Sequence, residues 1–171
     1  MSDAEATARP ARPCAASQVE MTEMVLPPDT NYHGTVFGGR ILQWIDIAGA
    51  IAAQRHSRRK VVTAAIDDMH FAVPVRLGDV VVLKASVNFV HRTSMEVGVR
   101  VEREHPLSGV REHAATAYVT YVALDDDGSP TAVPAIVPDT PEARRREADA
   151  HTRRGSRLER RAIIEARRQS R

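Results

Sequence analysis

Between residues 39 and 56 the apolar side chains Ile41, Leu42, Ile45 and Ala48, with Gly49 and Ala52, recur at spacings of three and four. That period predicts a helix buried along one wide face. It is the one long apolar helix pattern in the body of the chain, and the segments around it read as strands. "QVEMTEMVL", residues 18–26, alternates until Pro27 and Pro28 stop it. Four more strand-like segments follow at 61–71, 80–90, 95–104 and 112–124, separated by the turn signals "PVRLGD", "HRTS" and "HPLSGV" and closed by "DDDGSP". In "MEVGVRVER" Val97, Val99 and Val101 take one face while Glu96, Arg100 and Glu102 take the other. The order strand, helix, then four strands with short connections predicts an α+β fold: a mainly antiparallel sheet with one helix packed across it.

A chain of 171 residues with 43% hydrophobic residues fits one domain. We place it at 18–137. Residues 1–17, poor in large apolar side chains, are expected to be disordered, and 138–171 to form an Arg-rich extension, helical in part and broken near Gly155. The prolines of "SPTAVPAIVPDTP" read as a chain leaving the globule. Residues 141–171 hold 11 of the 24 Lys+Arg and 5 of the 22 Asp+Glu, which leaves 13 basic against 17 acidic residues before them. The high pI therefore belongs to the tail and does not argue for a nucleic-acid-binding domain. One cysteine, Cys14, excludes a disulfide framework and a Cys-based metal site. With no apolar run near the roughly 18 residues of a membrane span and no secretory h-region at the start, a cytoplasmic location is expected.

The helix carries one carboxylate, Asp46, about 40° from Leu42 on the helical wheel, on or beside the buried face. An ionised carboxylate taken from water without partners costs several kcal/mol, so it must be paired, hydrogen-bonded or kept at a cleft. A structural reading has it pair with an arginine or cap a loop. Its neighbours suggest chemistry instead. Gly38 and Gly39 stand where the helix begins, and without Cβ atoms they let a substrate approach the free N–H groups of the first turn, the positive end of the helix dipole. Such amides suit a carbonyl oxygen that becomes negative. Asn31, just upstream, offers a donor amide. No Gly-x-Ser-x-Gly elbow and no cysteine nucleophile accompany them in the folded part.

"LPPDTNYHGTVFGGRILQWIDIAGAIAA", followed by "VVTAAIDDMHFAVPVRLGDVV", "HRTSMEV" and "YVALDDDGSPTAVP", resembles the YciA-type and brain acyl-CoA hydrolase branch of the hotdog-fold thioesterases. The resemblance covers nearly all of 18–137. The combination N-x-x-G-x-x-F-G-G with D-x-x-G-A carries it. It implies a five-stranded antiparallel sheet wrapped around the long helix, and dimers with composite sites assembled into a trimer of dimers, a homohexamer. It implies that Asn31 and Asp46 form a catalytic pair contributed by different subunits. Asp46 would then act as general base on a water, or as a nucleophile. Asn31 would position the water or thioester, and Gly38 and Gly39 would polarise the thioester carbonyl. No cofactor is expected beyond CoA as part of the substrate, and neither a membrane nor a nucleic-acid partner.

Arg92, Thr93 and Ser94 in "HRTSMEV" match a family turn that contacts CoA, and their hydroxyls and guanidinium could hold phosphate oxygens. The same residues would serve simply to turn the chain. The run 55–60, "RHSRRK", is a second phosphate candidate, though a basic run at a helix C-terminus also complements the dipole. His33 is a conceivable second base with no residue to orient it. The histidines show no metal-ligand spacing. The competing function is a non-catalytic acyl-CoA-binding sensor or regulator whose basic tail contacts DNA. A pure binder needs neither a buried base nor a paired amide, and no helix-turn-helix precedes residue 18. A dehydratase of the same fold would require an Asp-x-x-x-x-His pattern that the loop lacks.

Overall fold

The computed structural model describes residues 10–169. Five strands form one antiparallel sheet: β2 (Val19–Met24), β3 (Lys60–Ile66), β4 (Val80–Val90), β5 (Ser94–Glu104) and β6 (Arg111–Leu124), in the order β2-β4-β5-β6-β3. Helix α1 (Gly38–Ser57) lies across one face. The side chains alternate as the pleat requires: Met95, Val97, Val99 and Val101 of β5 enter the core with Ile41, Ile45, Ala48 and Ala52 of α1. The predicted hotdog arrangement is therefore the observed one, and the ends of β4 are those read from the sequence. β3 is shorter than predicted. It stops at Ile66, and from Asp67 to Asp79 the chain runs irregularly apart from an isolated bridge at Arg76.

Small residues set the distance between helix and sheet. Ala48, Gly49, Ala52 and Ala53 are all buried, so α1 can press onto the strands where a leucine stripe would hold it off. At its C-terminus Arg58 adopts the left-handed conformation at φ 55°, and its N–H caps the Gln54 carbonyl at 2.8 Å.

Both ends of the chain depart from expectation. Of the segment 1–17, residues 1–9 lie outside the described residues, but Arg12–Pro13 form a short strand, β1, and Cys14–Ser17 a 3-10 turn with Cys14 and Ser17 buried. β1 pairs in parallel with β7 (Ile136–Val137). The proline-rich segment thus returns to the domain instead of leaving it. Beyond it α2 (Pro141–Gln169) is one helix, and Gly155 does not break it. A single exposed glycine costs a helix only about 1 kcal/mol, which the contacts on either side offset. α2 packs against the sheet face opposite α1: Arg153 reaches Glu96 on β5, and the His151 ring lies 4.2 Å from that of Phe89.

Candidate active site

Asp46 is half-buried in the middle of α1, and two side chains hold it. Thr63 on β3 donates its hydroxyl to Asp46 Oδ1 at 2.5 Å. Tyr121 on β6 donates to the Asp46 backbone carbonyl at 2.9 Å and lies 3.3 Å from the same Oδ1. Thr63 and Tyr121 are register partners across β3 and β6, so both project from the same face toward the helix. Burial, and then the charge of Asp46, push the Tyr121 hydroxyl well above the ordinary tyrosine range, so it remains a donor. The result is a carboxylate fixed through one oxygen, with no hydrogen-bond partner at Oδ2 among the described residues.

α1 begins at the two glycines. Phe37 takes an extended N-cap conformation without a side-chain cap, and its carbonyl accepts from Arg40 and Ile41 at 2.9 and 3.3 Å. The Gly38 and Gly39 amides therefore precede the first intrahelical bonds. Asp29 anchors this end. Its carbonyl accepts from the Phe37 N–H at 2.9 Å and its carboxylate meets Arg40 Nε at 2.8 Å. The ring edge of Phe71 lies 3.6 Å from where a Gly38 Cβ would stand.

Asn31 is elsewhere within the chain. Its Oδ1 accepts from the His33 N–H at 2.9 Å, and its Nδ2 donates to the Thr35 hydroxyl at 3.0 Å, a local turn that fixes the amide. Among the described residues every hydrogen bond of Asn31 falls within residues 31–35, and none reaches Asp46. The single chain thus does not bring together the two residues that the resemblance pairs. The ring of His33 lies 3.8 Å from that of Tyr32, tilted by 41°, and is exposed, with no hydrogen bond to Asp46 among the described residues.

The turn at Arg92, Thr93 and Ser94 lies at one end of the sheet. Their backbones are tied in: Val133 N–H donates to the Arg92 carbonyl, Ala123 N–H to that of Thr93, and His91 N–H to that of Ser94. Ser94 pairs with Val122, one position from the row Met95, Tyr121, Thr63, so its side chain takes the face opposite Asp46. The run 55–60 closes α1 and opens β3. Arg55 donates to the Gln18 carbonyl and His56 is buried against the Pro134 carbonyl, which are structural contacts. Among the described residues no group of three or more His, Cys, Asp or Glu is placed to hold a metal ion.

Thr63 and Tyr121 escaped the sequence reading because each appears there as one more residue of an alternating strand. Gly49 stands in the sequence as a member of the apolar stripe and as the glycine of D-x-x-G-A, and neither shows what it faces. A Cβ on it would stand 2.4 Å from the Tyr121 hydroxyl oxygen. The one available signal was Gly49 itself, an unfavourable residue in a helix interior three positions after the carboxylate.

The thioesterase superfamily matches residues 33–110. YkhA of Bacillus subtilis, an uncharacterized acyl-CoA thioester hydrolase, is 46% identical over 129 residues, 75% of each chain. The mouse acyl-coenzyme A thioesterase 11 is 39% identical, but the match spans only 26% of that longer protein. A crystallised apo-hexameric acyl-CoA thioesterase superposes with a TM-score of 0.87 at 39% identity, covering 91% of this chain and 99% of that one. The Staphylococcus aureus acyl-CoA hydrolase, solved with butyryl-CoA, CoA and CoA disulfide, has a TM-score of 0.83 at 34% identity over 92% of this chain and 98% of that one. Structures of three variants of it, with an aspartate, an asparagine or a threonine replaced by alanine, match comparably. With this identity, coverage and fold, the chain belongs to the thioesterase superfamily, in the group of hotdog-fold acyl-CoA thioester hydrolases.

Proposed function

We propose that the protein hydrolyses acyl-CoA to a carboxylic acid and CoA, with Asp46 as general base. The observation that carries this is the carboxylate fixed at Oδ1 by Thr63 and Tyr121, with no hydrogen-bond partner at Oδ2 among the described residues. A water on Oδ2 gives up a proton to the carboxylate as its oxygen attacks the thioester carbon. The carbonyl oxygen becomes an oxyanion held by the Gly38 and Gly39 amides, and collapse of the tetrahedral intermediate expels the CoA thiolate, which takes the proton back from Asp46. This path calls on no cofactor. Direct attack by Oδ2 to give a mixed anhydride uses the same geometry. Thr63 enters as a third member of the site. In the S. aureus enzyme the replaced asparagine, aspartate and threonine are spaced by fifteen and then seventeen residues, as Asn31, Asp46 and Thr63 are here.

Asn31 joins this chemistry from a second copy of the chain. β3 is a sheet edge with exposed Val62 and Ile66, and Ile47 on α1 is exposed beside Asp46. An unpaired edge flanked by apolar side chains is suited to a partner strand. A dimer along it covers the site and brings in the partner subunit's Asn31 loop. A hexameric relative supports higher assembly. Binding of CoA at Arg92, Thr93 and Ser94 would then be made across subunits, because Ser94 takes the face opposite Asp46. A cytoplasmic location suits the single cysteine and the CoA substrate.

The test is free-thiol release from a panel of acyl-CoAs. Asp46→Ala and Asn31→Ala should each lower kcat at least about a hundredfold, the order of losing one transition-state donor or more. Mixed after subunit exchange, the two inactive variants should regain part of the activity. A wild type that binds CoA esters and turns none over is the sensor instead. Exchange without recovery places both residues in one chain's site.

A further inference from the structure

The Arg-rich helix α2 is clamped on the back of the sheet at one buried charge. Glu96 of β5 is 2% exposed and points away from the α1 face. Arg153 donates to its Oε1 from Nη2 and Nε at 2.7 and 3.1 Å, and the same guanidinium lies 3.5 Å over the Tyr118 ring. Arg157 Nη1 lies 2.9 Å from Glu96 Oε2, off its hydrogen-bonding direction, and donates at 2.5 Å to Asp67 Oδ2. The Asp67 N–H in turn donates to the Tyr118 carbonyl at 3.0 Å. A carboxylate as buried as Glu96 requires such partners, so α2 is bound here in one register. Arg160 and Asp68, 3.2 Å apart with side chains 57% and 74% exposed, add little.

Asp67 is the first residue after β3, and the chain leads from it to the active site in both directions. Four residues back is Thr63, whose hydroxyl holds Asp46. Four residues on is Phe71, set against Gly38 at the start of α1. The segment between is fastened at its far end by the Ala72 N–H on the Ala114 carbonyl at 2.8 Å. Arg157 therefore links the C-terminal helix, through the less exposed of its two carboxylate contacts to this segment, to both ends of the catalytic arrangement.

Building on the thioesterase reading above, we propose that α2 is a strap that positions the active site from behind the sheet. Arg157 is a positioning residue: through Asp67 it holds β3 so that Thr63 meets Asp46, and it places Phe71 over the helix N-terminus that receives the thioester oxygen. The charge-rich tail is thus part of the enzyme's working geometry.

Steady-state kinetics on the full chain test this. Arg157→Ala should lower kcat about tenfold with little change in KM, as for a small misplacement of catalytic groups. Arg157→Lys, which keeps the charge, should restore at least half of the loss. In a Thr63→Ala background the effect of Arg157→Ala on kcat should shrink to under twofold, because the group it positions is gone. Asp67→Asn, which leaves the Arg153–Glu96 contact in place, should reproduce the drop if Arg157→Ala folds poorly. Arg161→Ala, whose side chain pairs with Glu165 on the helix surface, should match wild type. Wild-type kinetics in both Arg157→Ala and Asp67→Asn overturn the proposal. So does a loss of equal size in the Thr63→Ala background. A wild type with no turnover overturns the underlying thioesterase reading instead, which separates the two failures.

Discussion

Gly49 and Tyr121 are fitted to each other. A Cβ on Gly49 would stand 2.4 Å from the Tyr121 hydroxyl oxygen and 3.0 Å from two of its ring carbons, so hydrogen is the only substituent that the ring tolerates there. The ring is fully buried, and its hydroxyl reaches the turn of α1 that carries Asp46. A glycine that would ordinarily weaken a helix interior is what lets the carboxylate and its donor meet.

Two substitutions follow from that fit. Gly49→Ala must displace the ring or the helix, and should cost about 1–3 kcal/mol of stability together with most of the activity. Tyr121→Phe keeps the ring and removes the hydroxyl. It should fold, with a melting temperature close to wild type, and lose about tenfold or more in kcat, the usual worth of a hydrogen bond to a charged group. Thermal melts with acyl-CoA kinetics on both variants check this, and a Tyr121→Phe enzyme as fast as wild type would show that the hydroxyl does not hold Asp46.

Stability should fall with pH through His56. The ring is fully buried, with Nε2 2.8 Å from the Pro134 carbonyl oxygen, and burial lowers its pKa below the usual value near 6.5. The unfolded chain therefore takes up a proton before the folded one does. The stability that His56 contributes is complete above about pH 6.5 and is lost as pH falls through the lower folded value. Glu102, held below the ordinary carboxylate range first by the Arg100 hydrogen bond and then by Lys84, acts in the same direction at more acidic pH. Urea midpoints at pH 7.5 and 5.5 should drop more for wild type than for His56→Gln. An equal drop in the two proteins would place the effect elsewhere.

Cys14, the one cysteine, should be inert in the native protein. It is 7% exposed, and burial, followed by the negative charges of Asp139 and Glu147, raises its thiol pKa. The thiolate, the reactive form, is thus scarce at neutral pH. A thiol-trapping dye should find no protein thiol until guanidinium is added, so that in a turnover assay it reads released CoA alone. Rapid labelling of the folded protein would contradict the packing of the segment 12–17 against the domain.

Much of this was legible in local pattern. The threefold and fourfold spacing marked α1 and put Asp46 on its buried side, and the strand-like runs between turn signals marked β4, β5 and β6 nearly to the residue, with the twofold alternation clearest in β5. The glycines at the helix start announced open amides. Each of these is written within a few positions, where helix and strand periods act directly on burial.

What the pattern could not supply was which side chains meet. Thr63 is 17 residues from Asp46 and Tyr121 is 75, and they converge only because β3 and β6 pair in one register under α1. The segment 12–17 looked disordered because its ordering comes from pairing with Ile136–Val137, far along the chain. The docking of the tail on the sheet was not legible because arginine favours water until a buried carboxylate such as Glu96 offers it a partner. Periodicity determined which faces are buried, since burial repeats with the local geometry of the backbone. The tertiary structure decided which residues share a site, since strand register and helix packing join positions that no local pattern connects.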